Sequence, residues 1–256
     1  MKIAALLTGR GNNTLKDKNV LPVFGKPLLY YPAMAARGSR HIQDFYVSSD
    51  DENILAAAAS LGYQRIRRPA ELARPDSQHV DAIRHALGEM AARNNHPDIV
   101  VVLLANQVAV TTQWIDDCLD IMLKDERVSA VVPVYVEMDH HPYRAKRLND
   151  EGFLQSFFDF GGKRISTNRQ DLPRNFFLCH NFWVLHTERA LQCPNGDPPW
   201  SFMGRTVKPY MVDESVDVHT EEDIVRVQRW LRTHGMVPAD WKDLIPTPDS
   251  DANPLK

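Results

Sequence analysis

The segment Asp98-Ile99-Val100-Val101-Val102-Leu103-Leu104, DIVVVLL, is apolar at every position after the first. A strand with one wet face would alternate apolar and polar residues, and an amphipathic helix would break the run every third or fourth position. An unbroken, largely β-branched run is what a central parallel strand needs when helices cover both of its faces. Upstream, residues 3–7 form a short apolar strand, 45–48 a second and 63–66 a weaker third. Between them, residues 27–37 read as a helix, and 52–61 as another with Ile54, Leu55, Ala58 and Leu61 on one face. Val80, Ile83, Leu87 and Met90 mark a helix before DIVVVLL. Trp114, Cys118, Ile121 and Met122 mark one after it, followed by a strand at 128–136. The alternation predicts an α/β fold: an open, mostly parallel sheet with helices on both faces.

The pattern changes near residue 137. EMDHHPYRAKRLNDEGFLQSFFDFGGKRISTNRQDLPRNF lacks helical periodicity and carries turn signals at Asn149-Asp150 and Gly161-Gly162. It predicts an antiparallel, aromatic-rich arm inserted at about 137–180, serving either as a dimer contact or as a flap over the protein's own core. The sheet resumes at 182–185, followed by a strand at 207–212 and a helix at 221–231. One domain over 1–235 and a polar, proline-bearing tail over 236–256 are expected. No internal repeat is visible.

The 256 residues are 43% hydrophobic and 25% charged, with a formal net charge of -3. That balance gives no general attraction to nucleic acid or to an anionic membrane, so cations that bind a ligand must be gathered locally. Three scattered cysteines, Cys118, Cys179 and Cys193, fit reduced thiols in a cytoplasmic protein. No apolar stretch approaches membrane-spanning length, and the N-terminus lacks a signal-peptide pattern.

Ligands of open α/β sheets bind at the carboxyl ends of the strands. The first such loop, TGRGNNTLKDKN (residues 8–19), has neither the Gly-Lys-Ser/Thr ending of a P-loop nor a third glycine for a dinucleotide fingerprint. Gly9 and Gly11 allow backbone N–H groups to approach an anion, and Arg10, Lys16 and Lys18 offset its charge. The second loop sets Ser48, Ser49 and Asp50 before a helix that Asp50 or Asp51 can cap. The third holds Arg65, Arg67, Arg68 and Arg74 within ten residues. Late in the chain, Thr220 to Asp223 read as a helix cap. Asp217 and His219, two apart, share a side that suits a divalent cation, although a lone buried His is more often a satisfied core residue than a ligand.

Six stretches in this order, at residues 18–29, 47–54, 67–73, 137–144, 169–173 and 217–223, resemble the CMP-sialic acid synthetase (acylneuraminate cytidylyltransferase) family and its CMP-Kdo synthetase relatives. The similarity runs from about residue 3 to residue 231. It implies a Rossmann-like fold with an antiparallel dimerisation arm and a homodimer in which one subunit's arm reaches the other's site. It also implies a reaction in which CTP and a 2-keto-3-deoxy sugar acid give a CMP-sugar and pyrophosphate, with Mg²⁺ (or Mn²⁺). By the same resemblance Lys18 and Arg10 are catalytic, and Gly9, Gly11, Asn19, Arg68 and Gln107 hold the nucleotide. Arg144, Arg169, His180 and Asn181 hold the sugar acid, and Asp217 and His219 hold the metal.

The chain departs from the family at three places. Arg10 is shifted by one residue, so that the family's first-loop lysine falls on Asn12 or Asn13. Ala105 stands where a glutamine is usual, which Gln107 replaces only if the loop takes another path. His219 stands for the second metal-binding aspartate. These changes predict an altered substrate, another divalent metal, another nucleotide or acceptor, or a protein that binds nucleotide or a partner without turnover.

Overall fold

A computed structural model describes residues 1–11, 15–213 and 215–238. Asn12, Asn13 and most of the expected tail, from residue 239 onward, lie outside the described residues. Ten strands matter here: β1 (Ile3–Thr8), β2 (Asp44–Ser49), β3 (Gln64–Arg67), β4 (Ile99–Leu104), β5 (Ala130–Val136), β6 (Lys146–Leu148), β7 (Leu154–Ser156), β8 (Phe176–Leu178), β9 (Phe182–His186) and β10 (Val207–Met211). The helices are α1 (Tyr30–Arg37), α2 (Glu52–Ala59), α3 (His79–Ala92), α4 (Thr112–Lys124) and α5 (Glu221–Thr233).

Eight strands form one sheet in the order β8-β5-β9-β4-β1-β2-β3, with β10 also paired to β5. The pairs β4–β1, β1–β2, β2–β3 and β5–β10 are parallel, while β9 runs antiparallel between β4 and β5. DIVVVLL becomes the sheet's interior strand, and its residues divide by parity between two cores. Ile99, Val101 and Leu103 join Ile3, Ala5 and Leu7 under α1, α2 and α4. Val100 and Val102 join Ala4 and Leu6 against α3 and the short helix Thr187–Gln192. Covering both faces removes each of these side chains from water, worth about 1.5–3 kcal/mol per valine or leucine.

The helix expected over 27–37 starts only at Tyr30. Phe24 and Gly25 both take positive φ and close a tight hairpin, so Lys26–Pro27 pairs with Pro22–Val23 instead of entering the helix. The expected helix starts at Asp51 and Thr220 are real. Asp51 Oδ1 accepts from Asn53 N and Ile54 N at 2.7 and 3.1 Å, and Thr220 with Asp223 forms a capping box. The arm carries the β6–β7 hairpin, which stands apart from the large sheet.

One irregularity positions a side chain of the site. Beside β5, the chain passes from Leu178 opposite Val134 to Val184 opposite Val131. It advances six residues while its partner advances three; Cys179 N still donates to Pro133 O at 2.8 Å, and the chain bulges out of register after it, at His180-Asn181.

Candidate functional site

A cavity of about 280 Å³ opens at the carboxyl ends of β1 and β4, beside the loop after β3 and the start of α3. Gly9 lines it in a crowded spot: a Cβ there would lie 3.1 Å from Ala105 Cβ and 3.2 Å from Asn19 Nδ2, so those neighbours would have to give. At Gly11 a Cβ would come within 2.7 Å of Asp51 Oδ2. The N–H groups expected to face an anion are committed elsewhere. Gly9 N donates to Ser48 O at 3.2 Å, and Gly11 N to Asp50 Oδ1 at 3.0 Å. The two glycines thus permit close packing of the loop on its neighbours, and the side chains face the cavity.

Those side chains are cations. Arg10, Lys18, Arg68 and Arg74 all line the cavity. Arg68 is only 6% exposed and is held by Ser48, through Nε to Oγ at 3.2 Å and Nη2 to O at 2.8 Å. Burial pushes its pKa down to about 10; Asp50 opposes the shift and Arg10 adds to it. Arg10 Nη1 donates to Arg74 O at 3.1 Å, and buried Asn19 ties the loop by donating from Nδ2 to Arg10 O at 3.0 Å. Lys18 Nζ donates to Val218 O at 3.0 Å. Its pKa is lowered by burial first, against the pull of Asp217. Lys16, Arg65 and Arg67 are exposed, and the last two pair with Glu52. Four cations around one cavity repel one another, so an anion placed among them relieves a strain the fold already carries.

Asp217 is joined to the cavity lining through Asn106 and does face His219: Asp217 Oδ2 and His219 Nε2 are 2.9 Å apart. Its other oxygen accepts from Asn106 Nδ2. Gln107 bridges Asp217 through the backbone and is 1% exposed, with its Oε1 buried and unpartnered. The loop after β4 therefore turns Gln107 inward and presents Asn106 to the cavity. Among the described residues no cluster of three His, Cys, Asp or Glu side chains offers a ready metal cage.

Of the residues assigned to the sugar acid, His180 projects from the bulge toward Trp183 and Trp200, with ring centroids 5.8 and 5.7 Å away. Asn181 is fully buried; its Nδ2 donates to Ala109 O and its Oδ1 accepts from Ser215 Oγ at 2.8 Å, which makes it a clamp between loops. Arg144 and Arg169 lie in the arm and do not line the cationic cavity of their own chain. Arg144 borders an arm cavity with Lys146 and Lys163, and Arg169 pairs with Asp139.

Thr8, Ser77, Asn106 and His79 line the cavity without having been anticipated. The first residues of α3 follow the arginine loop directly, and Asn106 follows the end of DIVVVLL, so both positions were open to inspection. His79 Nε2 lies 2.9 Å from Thr8 Oγ1. Burial pushes its pKa down to about 3, and Arg68 and His180 add to the shift.

Residues 8–173 match the sequence profile of a family described as cytidylyltransferase. The chain is 26% identical over 228 residues to an N-acylneuraminate cytidylyltransferase of Escherichia coli, covering 87% of this chain and 50% of that protein. It is 22% identical over 262 residues to a 3-deoxy-manno-octulosonate cytidylyltransferase of Bdellovibrio bacteriovorus, covering 92% of this chain and all 100% of the other. The chain thus spans about half the length of the N-acylneuraminate relatives. The fold superposes on a CMP:2-keto-3-deoxy-manno-octonic acid synthetase solved with CTP, at a TM-score of 0.64 and 14% identity, over 91% of this chain and 100% of that one. The sequence profile spans more than half of the chain, which belongs to the cytidylyltransferase family.

Proposed function

We propose that this chain transfers the cytidylyl group of CTP to the anomeric hydroxyl of a 2-keto-3-deoxy sugar acid of the nonulosonic, sialic-acid-like class. The hydroxyl oxygen bonds to the α-phosphorus, the bond from that phosphorus to pyrophosphate breaks, and the hydroxyl proton leaves. The observation that carries this reading is the gathering of Lys18, Arg10, Arg68 and Arg74 around one cavity beside Asp217, in a chain of net charge -3. Such a reaction asks for charge neutralisation and in-line positioning more than for a covalent group. The relatives, an N-acylneuraminate and a 3-deoxy-manno-octulosonate cytidylyltransferase, support the acceptor class.

The donor set fits a cation that arrives with the nucleotide. Magnesium uses one or two carboxylates together with phosphate oxygens and water, and Asp217 is the carboxylate that would hold it. His219 beside it would favour Mn²⁺ as an alternative. The ion would neutralise phosphate charge. The chain's own part is to hold the phosphates with Lys18 and Arg10, to fix the loop through Asn19, and to seat Arg68 against the nucleotide. A homodimer is part of the proposal: the exposed arm would carry Arg144 and Arg169 to a partner's site. The free thiols Cys118, Cys179 and Cys193 suit a reducing compartment such as the cytoplasm. No helix among the described residues is long and apolar enough to cross a membrane.

A second reading, nucleotide binding without turnover or transfer from another nucleotide or to another acceptor, is favoured by the engagement of both Asp217 oxygens, by Asn106 and His219. Pyrophosphate release separates the readings when measured with each nucleoside triphosphate, Mg²⁺ or Mn²⁺, and a panel of 2-keto-3-deoxy sugar acids. Release with CTP and one such acid is expected. Binding of CTP with no release in any combination would sink the transferase reading.

A further inference from the structure

The arm holds a cationic cavity of its own. Its volume is about 450 Å³, within the size range of small-ligand sites. Arg144, Lys146 and Lys163 line it, and no acidic residue does. Among the described residues none of these three cations is paired with a carboxylate. Asp139, Asp159 and Asp171 of the same arm are engaged elsewhere, on Arg169, on Gly161 N at 2.8 Å and on Ser166 Oγ at 2.6 Å. The cavity therefore gathers positive charge that the arm leaves without a counter-charge.

Its walls are fixed by specific contacts. In the β6–β7 hairpin Lys146 stands directly opposite Ser156, on the face that Arg147 and Gln155 do not share. Phe157 N donates to Ala145 O at 3.1 Å and closes that end of the hairpin. The turn at Gly161-Gly162 then brings the chain back, with Lys163 N donating to Phe160 O at 3.1 Å. Tyr143 and Phe160 pack edge to face, with ring centroids 5.2 Å apart, as an aromatic wall. Buried His141 anchors that wall. Its Nδ1 accepts from Tyr143 N at 3.0 Å, and its Nε2 donates to Pro173 O at 2.9 Å.

Three cations around one cavity call for more negative charge than a single carboxylate supplies. A phosphate monoester carries close to two charges at neutral pH and offers three oxygens. Ammonium groups meet those oxygens as point charges, and a guanidinium meets two at once. The hydroxyls of Ser156 and Thr167, which bond nothing else among the described residues, suit the hydroxyls of a polyol. The Tyr143–Phe160 wall suits the C–H face of a sugar ring. We propose that the arm cavity is a binding site for a phosphorylated sugar. Two sources share that chemistry, a separate sugar phosphate and an acceptor that itself bears phosphate. The second rests on the cytidylyl-transfer reading, whereas the site itself is read from the arm alone.

The probe is glucose 6-phosphate, titrated by calorimetry into the full chain without nucleotide. Binding is expected, with glucose itself held at least about tenfold more weakly. Lys146→Gln and Lys163→Gln should each weaken binding about tenfold, the scale of one lost charge-assisted hydrogen bond. Arg147→Gln removes the same charge from the other face of the hairpin, outside the cavity, and should leave the affinity within about twofold. Absence of binding at millimolar concentration, native affinity in either lysine variant, or an equal loss in Arg147→Gln overturns the proposal. None of these outcomes depends on turnover, so the transferase reading stands or falls separately, by pyrophosphate release. The same release assay distinguishes the sources, run with a 2-keto-3-deoxy sugar acid and with its phosphate ester. A KM raised about tenfold by Lys163→Gln for the ester alone assigns the phosphate to the acceptor. Unchanged KM values for both, with glucose 6-phosphate still bound by the native chain, assign it to a separate molecule.

Discussion

The sheet with its loops and the arm solve the same problem, where to put apolar surface, in opposite ways. In the sheet, alternate residues of β1 and β4 feed two closed cores, and even the cation-bearing loops are tied down by Asn19, Ser48 and Asp50. In the arm, Leu148, Phe153 and Leu154 are 67, 66 and 72% exposed, and Phe157 and Phe158 stand beside them in water. A two-stranded hairpin cannot bury both of its faces alone. The difference teaches that the sheet region closes its own cores, whereas the arm leaves large apolar side chains in water. Arg144 and Arg169, assigned to the sugar acid, lie in the unfinished half.

The largest effect should come from breaking the closed half. Leu103 is fully buried, and Leu103→Ala is expected to cost about 2–5 kcal/mol in urea unfolding. Leu154→Ala, a truncation of the same size in the arm, should leave the chain's own folding within about 0.5 kcal/mol in dilute solution. Its effect should appear in sedimentation as weaker self-association. Equal losses at the two positions would show that the arm packs on its own chain and would remove the contrast.

Next in size is Lys18→Ala, which removes a half-buried cation whose retention costs desolvation. Turnover should fall about 10²–10³-fold, the scale seen when one preorganised stabilising group is lost. The melting temperature should hardly move. Near-native turnover would refute the role of Lys18 in neutralising the triphosphate.

A smaller, pH-dependent effect tests the buried histidine. The folded pKa of His79 is depressed from 6.5 to about 3, so the unfolded chain binds the proton first as pH falls. The native protein should therefore lose stability progressively below pH 6.5, with half-buried His180 and buried His186, also lowered by burial, contributing in the same direction. His79→Gln should give a shallower decline between pH 7 and pH 5 in urea titrations. An unchanged slope would mean that the ring is more hydrated than its surroundings imply.

The two halves also differ in how much the sequence discloses. DIVVVLL declared a strand covered on both faces because burial on both sides leaves no room for polar residues, and the Asp51 and Thr220 caps are local chemistry. Gly9 and Gly11 were misread, since what a glycine permits depends on the neighbour it must clear, Ala105 in one case and Asp51 in the other. Asn106, rather than Gln107, reaches the cavity because the direction of a loop is set by tertiary pairing, here with Asp217. The His180–Asn181 excursion has no sequence signal, since a bulge is defined by its partner strand. His79 has no sequence signal either, since its contact with Thr8, 71 residues away, exists only in the folded chain.

The smallest effect sharpens the boundary between structure and chemistry near Asp217. Asp223 Oδ2 accepts from His219 N and Thr220 N, both at 2.9 Å, and these hydrogen bonds outweigh burial to lower its pKa. A depressed carboxylate contributes stability above its unfolded pKa, 3.8, and loses it as pH falls through the lower folded value. Asp223→Asn should therefore cost about 0.5–2 kcal/mol at pH 7, the scale of a helix cap, and the deficit should shrink in urea titrations below pH 3.8. Turnover should change less than tenfold, because Asp223 holds the backbone that carries His219, whereas Asp217 is bonded to the cavity-lining Asn106. A loss of turnover as large as that of Lys18→Ala, with stability intact, would instead move Asp223 from the cap into the site.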